Sequence, residues 1–385
     1  MVTTSLPPWI VEAAMKIVAI ETHLIRVRCD IGAAPIAFLG VGWSSLDTLL
    51  VRVVTDQGLE GWGEGFGHAC CPATRIVVDT QLAPAVLGED TRDIRGLMAR
   101  LAQRLHLFGR NGPHVYALSA LDIALWDIAG KAANLPLWLL LGGAPVGALS
   151  AYASLLRYSA PAEVAKACAR ALDQGYSAIK LHEIDVPQVE AARGAVGPDI
   201  SIMLDTNCPW SVDQAITMAR LLQPFKLAWL EEPLWPPENH AGLARIRQEG
   251  GVPIAAGENA AGLVDVRAML DANAVDIIQP SVAKIGGVTE VVKIAAVAEA
   301  VGARFVPHCA YFGPGFLASL HLAAALAPTT PFERLFVDLE ASPYHDLIGA
   351  KGGLVAVPNG PGLGRDPDLE ILRRYALSAP TVLRA

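Results

Sequence analysis

Charge is scarce in this sequence. Of 385 residues, 18% are Asp, Glu, Lys or Arg, and 38 acidic against 30 basic side chains leave a net charge of −8. A mildly acidic chain lacks the basic face that phosphate binding needs, which argues against nucleic acid as a partner. No block of like charges marks an interaction tail. Cysteine is scarce too. Cys70 and Cys71 are adjacent, Cys29, Cys168, Cys208 and Cys309 are scattered, and no C-x-x-C pair exists. That excludes a disulfide scaffold and a zinc or redox motif, so a reduced, cytoplasmic compartment is expected. No apolar run approaches the roughly 20 residues that span a bilayer, so no membrane association is expected. The start, Met1–Ala14, carries Pro7-Pro8 and the acidic Glu12, unlike a signal peptide. Low-complexity segments and short repeats are missing as well. What is plentiful is apolar material, 52% of the chain. It is too much for one small core, so two domains, or a large barrel with an attached domain, are expected.

The first part reads as strands, then helices. Met15 opens a strand through Ile20, and Leu49–Thr55 is a β-branched run. Asp56-Gln57-Gly58 forms a hairpin turn, and Glu60–Glu64 returns. Asp79–Gly130 turns helical, most clearly over Ala120–Ala129. After Ser150 short apolar runs alternate with helical stretches such as Val212–Leu222 and Gly286–Val301. The runs end in His182, Asp205, Glu231, Glu258, Pro280 and His308. This alternation implies parallel strands closing into a (β/α) barrel. The expected architecture is α/β: an α+β capping domain over 15–145, the barrel over 146–350, and a C-terminal segment, 351–385, that leaves the barrel.

Twenty-six residues separate Asp205 from Glu231, and 27 separate Glu231 from Glu258. Each interval is one strand plus one helix. Active sites of such barrels lie at the C-terminal strand ends, so the three carboxylates should converge from neighbouring strands. With nothing basic between them they would repel one another, and a hard divalent cation such as Mg²⁺ resolves this. Lys180 and His182 lie two apart on one strand and point to the same side. His308 arrives from the far side of the barrel.

Together these blocks resemble the enolase superfamily, in its mandelate racemase-like group. The resemblance runs from Met15 to about Asp368. Its motifs are Gly61-Trp62-Gly63-Glu64, Leu121–Asp127, Leu204-Asp205-Thr206-Asn207, Glu231-Glu232-Pro233, Gly257-Glu258-Asn259, Gln279-Pro280, Lys284–Val288 and Pro307-His308. It implies a modified, enolase-type barrel in which Asp205, Glu231 and Glu258 hold Mg²⁺. The metal would stabilise an enolate formed when a base removes the proton α to a carboxylate. That proton is very weakly acidic, so concentrated positive charge beside the developing enediolate is a physical necessity.

The chain departs from the mandelate racemase pattern twice. Lys180-Leu181-His182 replaces Lys-x-Lys, and Ser281 replaces an aspartate that would orient the following histidine. Serine supplies no charge, so His308 should be a weaker base. One base and one acid suit dehydration of a hydroxy or sugar acid, with His182 and His308 in those roles and Lys180 holding the substrate carboxylate. Resemblance adds a last-strand acid, Glu333, with Glu340 as the alternative. Asn207, Ser281 and Lys284 are candidate substrate contacts. The Asp30–Ser45 loop and Phe66-Gly67-His68 are expected to close over a bound acid, with Trp43 and His68 as contacts. The lid segment Pro35–Leu39 carries no cation. The expected partner is a small carboxylic acid, and resemblance implies a homo-oligomer. Two other readings stay open: a racemase or epimerase using both histidines, and a metal-holding barrel that has lost its chemistry and acts as a binding protein.

Overall fold

The computed structural model describes residues 14–33, 37–38 and 41–385; for 37–38 and 41–42 it describes the backbone pairing alone. Long β-branched runs build an antiparallel sheet, in which Ile17–Asp30 pairs with Ser45–Thr55 and the latter with Glu60–Gly65. Strand Thr381–Arg384 adds to the outer edge of Ile17–Asp30, and Asp338–Leu339 pairs with its end.

Helix Pro113–Ala133 lies against the Glu60–Gly65 strand, and glycine makes that approach possible. A Cβ on Gly61 would stand 2.1 Å from the Ala124 carbonyl oxygen, and one on Gly63 would stand 1.8 Å from that of Ala120. The same helix grips the rest of the molecule through buried carboxylates. Asp122 accepts from the Thr289 N–H at the start of helix Val288–Val301, 2.9 Å away. Asp127 accepts from the main chain of Trp62 and of Leu363. Glu64 accepts from Gly315 N at the start of helix Pro314–Leu326. Anionic or polar acceptors at helix N-termini satisfy otherwise unpaired donors. The Gly61–Glu64 and Leu121–Asp127 motifs are therefore packing devices, away from the chemistry.

The second body is a parallel sheet of eight strands in chain order: Ala148–Ser154, Ala178–Leu181, Ser201–Asp205, Trp229–Glu231, Ile254–Ala256, Ile277–Ile278, Arg304–Phe305 and Phe332–Leu335. The eighth pairs with the first, and among the described residues no pairing joins the seventh to the eighth. This is the expected modified barrel with an α+β capping region.

Tyr152, Ala178, Met203, Trp229, Ala255, Ile277 and Val306 form an apolar layer inside it. Side chains alternate along a strand, so the residue two further on points inward one level higher. That rule delivers Lys180, Asp205, Glu231, Gln279 and His308 to one level. Glu258 has the wrong parity and reaches the site because Gly257, at φ 131°, turns the chain there. No helix of the described residues is long and apolar enough to cross a membrane.

Candidate active site

Asp205, Glu231 and Glu258 each bring one carboxylate oxygen to within 4.8 Å of the others. An all-oxygen anionic set of this size fits a hard divalent cation. The expectation that nothing basic lies among them is corrected. Lys180 Nζ stands 3.3 Å from Asp205 and 2.9 Å from Glu231. It also reaches Glu333 at 2.7 Å. Lys180 is fully buried, so its ammonium sits inside the acidic cluster instead of extending to solvent. Burial opposes its charge, yet the three carboxylates hold its pKa well above the usual lysine value.

The carboxylates are themselves oriented. Glu231 Oε2 accepts from Trp229 Nε1 and from Gln279 Nε2, both at 2.9 Å. Asp205 Oδ1 accepts from the Asn207 main chain at 3.1 Å and from its side chain at 3.0 Å. Asn207, expected among the substrate contacts, donates through its side-chain amide to Asp205, one of the three clustered carboxylates, and so orients that group. Burial pushes Glu231 up to about 7, whereas Lys180 and His182 outweigh burial at Asp205 and hold it near 2.

Two histidines bracket the set. His182 Nε2 lies 3.2 Å from Asp205 Oδ2, and its Nδ1 donates to the Leu155 carbonyl. His308 Nε2 lies 3.0 Å from Glu258 Oε2, while its Nδ1 is 2.9 Å from Ser281 Oγ. Burial disfavours the charged form of both rings. The adjacent carboxylates win, so both pKa values move up from the usual histidine value. The sequence argument missed Tyr311, whose hydroxyl hydrogen-bonds Ser281 Oγ. Tyr311 lies three residues past His308, and that proximity was the one available signal.

The two last-strand candidates separate cleanly. Glu333, on the strand beginning at Phe332, binds Lys180 and accepts from Cys309 N at 2.8 Å. Glu340 lies outside the site. It is exposed and accepts from Tyr375 near the capping sheet, because Asp338–Leu339 has already left the barrel.

Lys284 is 5% exposed, held by Asn259 Oδ1 at 2.6 Å and Glu258 at 3.3 Å, with its charge 4.5 Å from the Phe66 ring centre. His68 packs against Trp43 and Phe66, 4.9 and 5.4 Å between ring centres. Burial, then the charges of Lys284 and His308, lower its pKa to about 4, so the ring is a neutral wall. Of the segment expected to close over the site, 34–36 and 39–40 lie outside the described residues, as do the side chains of 37–38 and 41–42.

The chain as a whole has known counterparts. Residues 19–142 match the mandelate racemase / muconate lactonizing enzyme N-terminal domain, and 163–371 match the enolase C-terminal domain-like family. A D-galactarolactone cycloisomerase of Agrobacterium fabrum is 33% identical, covering 95% of this chain and all of its own. An arabinonate dehydratase of Saccharolobus solfataricus is 31% identical over 86% of this chain and 90% of its own. A racemase from Streptomyces coelicolor A3(2), solved with bound magnesium, superposes with a TM-score of 0.82 at 31% identity. It covers 94% of this chain and 100% of that one.

The chain belongs to the enolase superfamily, in its mandelate racemase-like group. It is an enzyme of the lyase or isomerase kind found there.

Proposed function

We propose that this enzyme removes the proton α to a carboxylate of a hydroxy or sugar acid and then expels the oxygen substituent on the β-carbon. The observation that carries the reading is the asymmetric bracket of histidines around Asp205, Glu231 and Glu258. A carbonyl accepts and never donates, so Leu155 fixes a proton on His182 Nδ1. In the neutral ring the lone pair then sits on Nε2, at the end of the cluster beside Asp205, where it acts as the base. His308 stands at the other end as the group that meets the departing oxygen.

Mg²⁺ held by Asp205, Glu231 and Glu258 would supply positive charge for the enediolate. Lys180, paired with Glu333 as well as with Asp205 and Glu231, keeps that electrostatic frame fixed. From a 2,3-dihydroxy acid, loss of the α-proton and the β-oxygen leaves an enol that ketonises to a 2-keto-3-deoxy acid. The same step on a cyclic acid opens the ring instead of releasing water, which accommodates relatives named as dehydratases and as cycloisomerases.

The test is incubation with Mg²⁺ in D₂O across open-chain and cyclic sugar acids, followed by NMR. The reading predicts a 2-keto-3-deoxy product from one of them. A product that retains its β-oxygen, with α-deuteration in both enantiomers, would establish the racemase reading in its place.

A further inference from the structure

Ser281 stands where an acceptor for His308 Nδ1 is expected, but a hydroxyl both donates and accepts, so its direction must come from elsewhere. Tyr311 supplies it. Its side chain is buried at 3% exposure, Ser281 is fully buried, and the Tyr311 hydroxyl has Ser281 Oγ as its hydrogen-bond partner among the described residues. The phenol carries one proton and the serine carries one. If Ser281 donated to Tyr311, the phenolic proton would be buried with no acceptor. If Tyr311 donates to Ser281, both protons are used, and the serine proton goes on to His308 Nδ1.

We infer that Tyr311 is a positioning residue that, through Ser281, fixes neutral His308 with its proton on Nε2. This makes His308 a hydrogen-bond donor toward the site. An aspartate at 281 would do the reverse, accepting from Nδ1–H and leaving Nε2 free to act as a base. His182, whose Nδ1 faces a carbonyl, has the opposite tautomer. The inference deepens the proposed elimination and rests on it for its catalytic meaning, since one base and one donor serve a single-faced reaction. Its test needs no substrate, so it fails or stands separately from that reading.

The test uses full-length, Mg²⁺-loaded enzyme labelled with ¹⁵N-histidine, studied by long-range ¹H–¹⁵N correlation at alkaline pH. The His308 resonances are assigned by their loss in His308→Gln. The expected wild-type pattern is a pyrrole-like Nε2 and a pyridine-like Nδ1. Tyr311→Phe should shift the pattern toward a mixture of tautomers, and Ser281→Asp should move the proton to Nδ1. Should Tyr311→Phe fail to fold, Ser281→Ala reads the same loss of preference. A wild-type ring protonated on Nδ1, or on both nitrogens throughout, overturns the inference. So does a pattern that Tyr311→Phe, or Ser281→Ala in its place, leaves unchanged.

Discussion

Lys180 Nζ lies 2.7 Å from Glu333 Oε1, joining the second barrel strand to the eighth across the first. With Asp205 and Glu231 on its other sides, this ammonium offsets part of the negative charge of a buried carboxylate cluster.

Removing that charge should therefore be felt first in stability. Lys180→Met removes the one ammonium that Asp205, Glu231 and Glu333 share, and losing one member of a buried ion network costs about 3–5 kcal/mol. Thermal unfolding of the metal-free variant should show the loss. Added Mg²⁺ should raise the midpoint of the variant more than that of wild type, because ligand binding to the native state stabilises it by mass action.

The Ser281–His308 relationship predicts a switch of chemistry. Ser281→Asp gives His308 an anionic acceptor at Nδ1 and turns Nε2 into a base. α-Proton exchange on the second face of the substrate should appear, measured as deuterium entering the opposite enantiomer. Elimination should fall by on the order of 10²-fold, the scale of a lost acid–base partner.

Gly63 tests the packing reading of its motif. Gly63→Ala places a methyl group inside the van der Waals radius of the Ala120 carbonyl, backbone against backbone, with no side chain free to move aside. A loss of at least about 3 kcal/mol in denaturant unfolding is expected, at the upper end for overpacked sites.

The buried carboxylates that clasp the barrel helices set a pH dependence of stability. Burial raises Glu64 to about 8 and Asp122 to about 7, although main-chain N–H groups pull both down. Their unfolded values are 4.5 and 3.8. Between those limits the folded state holds protons that the unfolded state has released, so stability falls as pH rises from about 4 to about 8. Glu64→Gln, shaped like the protonated acid, should flatten the upper part of this slope in thermal unfolding measured across pH.

Much of the barrel was legible because parallel strands buried on both faces read as short apolar runs, each ending in a residue of chemical consequence. The first barrel strand, Ala148–Ser154, was not. Its small residues carry no β-branched signature, and its place is set by pairing with strands 178–181 and 332–335. The last strand, Thr381–Arg384, is a half-exposed edge whose only signal is its partner. At the site, spacing sufficed for Asp205, Glu231 and Glu258, which share one structural unit. It could not find Lys180 among the carboxylates or Tyr311 on Ser281. Those contacts cross 25 to 51 residues and exist only once the barrel has closed.

The central claim is a division of labour between two histidines. The most direct measurement is C2-proton exchange and elimination, followed together by NMR in D₂O with Mg²⁺ on the same acid. His182→Ala should lose both by roughly 10²–10⁴-fold, as expected when a general base is removed. His308→Gln should keep C2 exchange while elimination falls. Equal loss of exchange in His308→Gln and His182→Ala would contradict the account, because His308 would then be acting as a base.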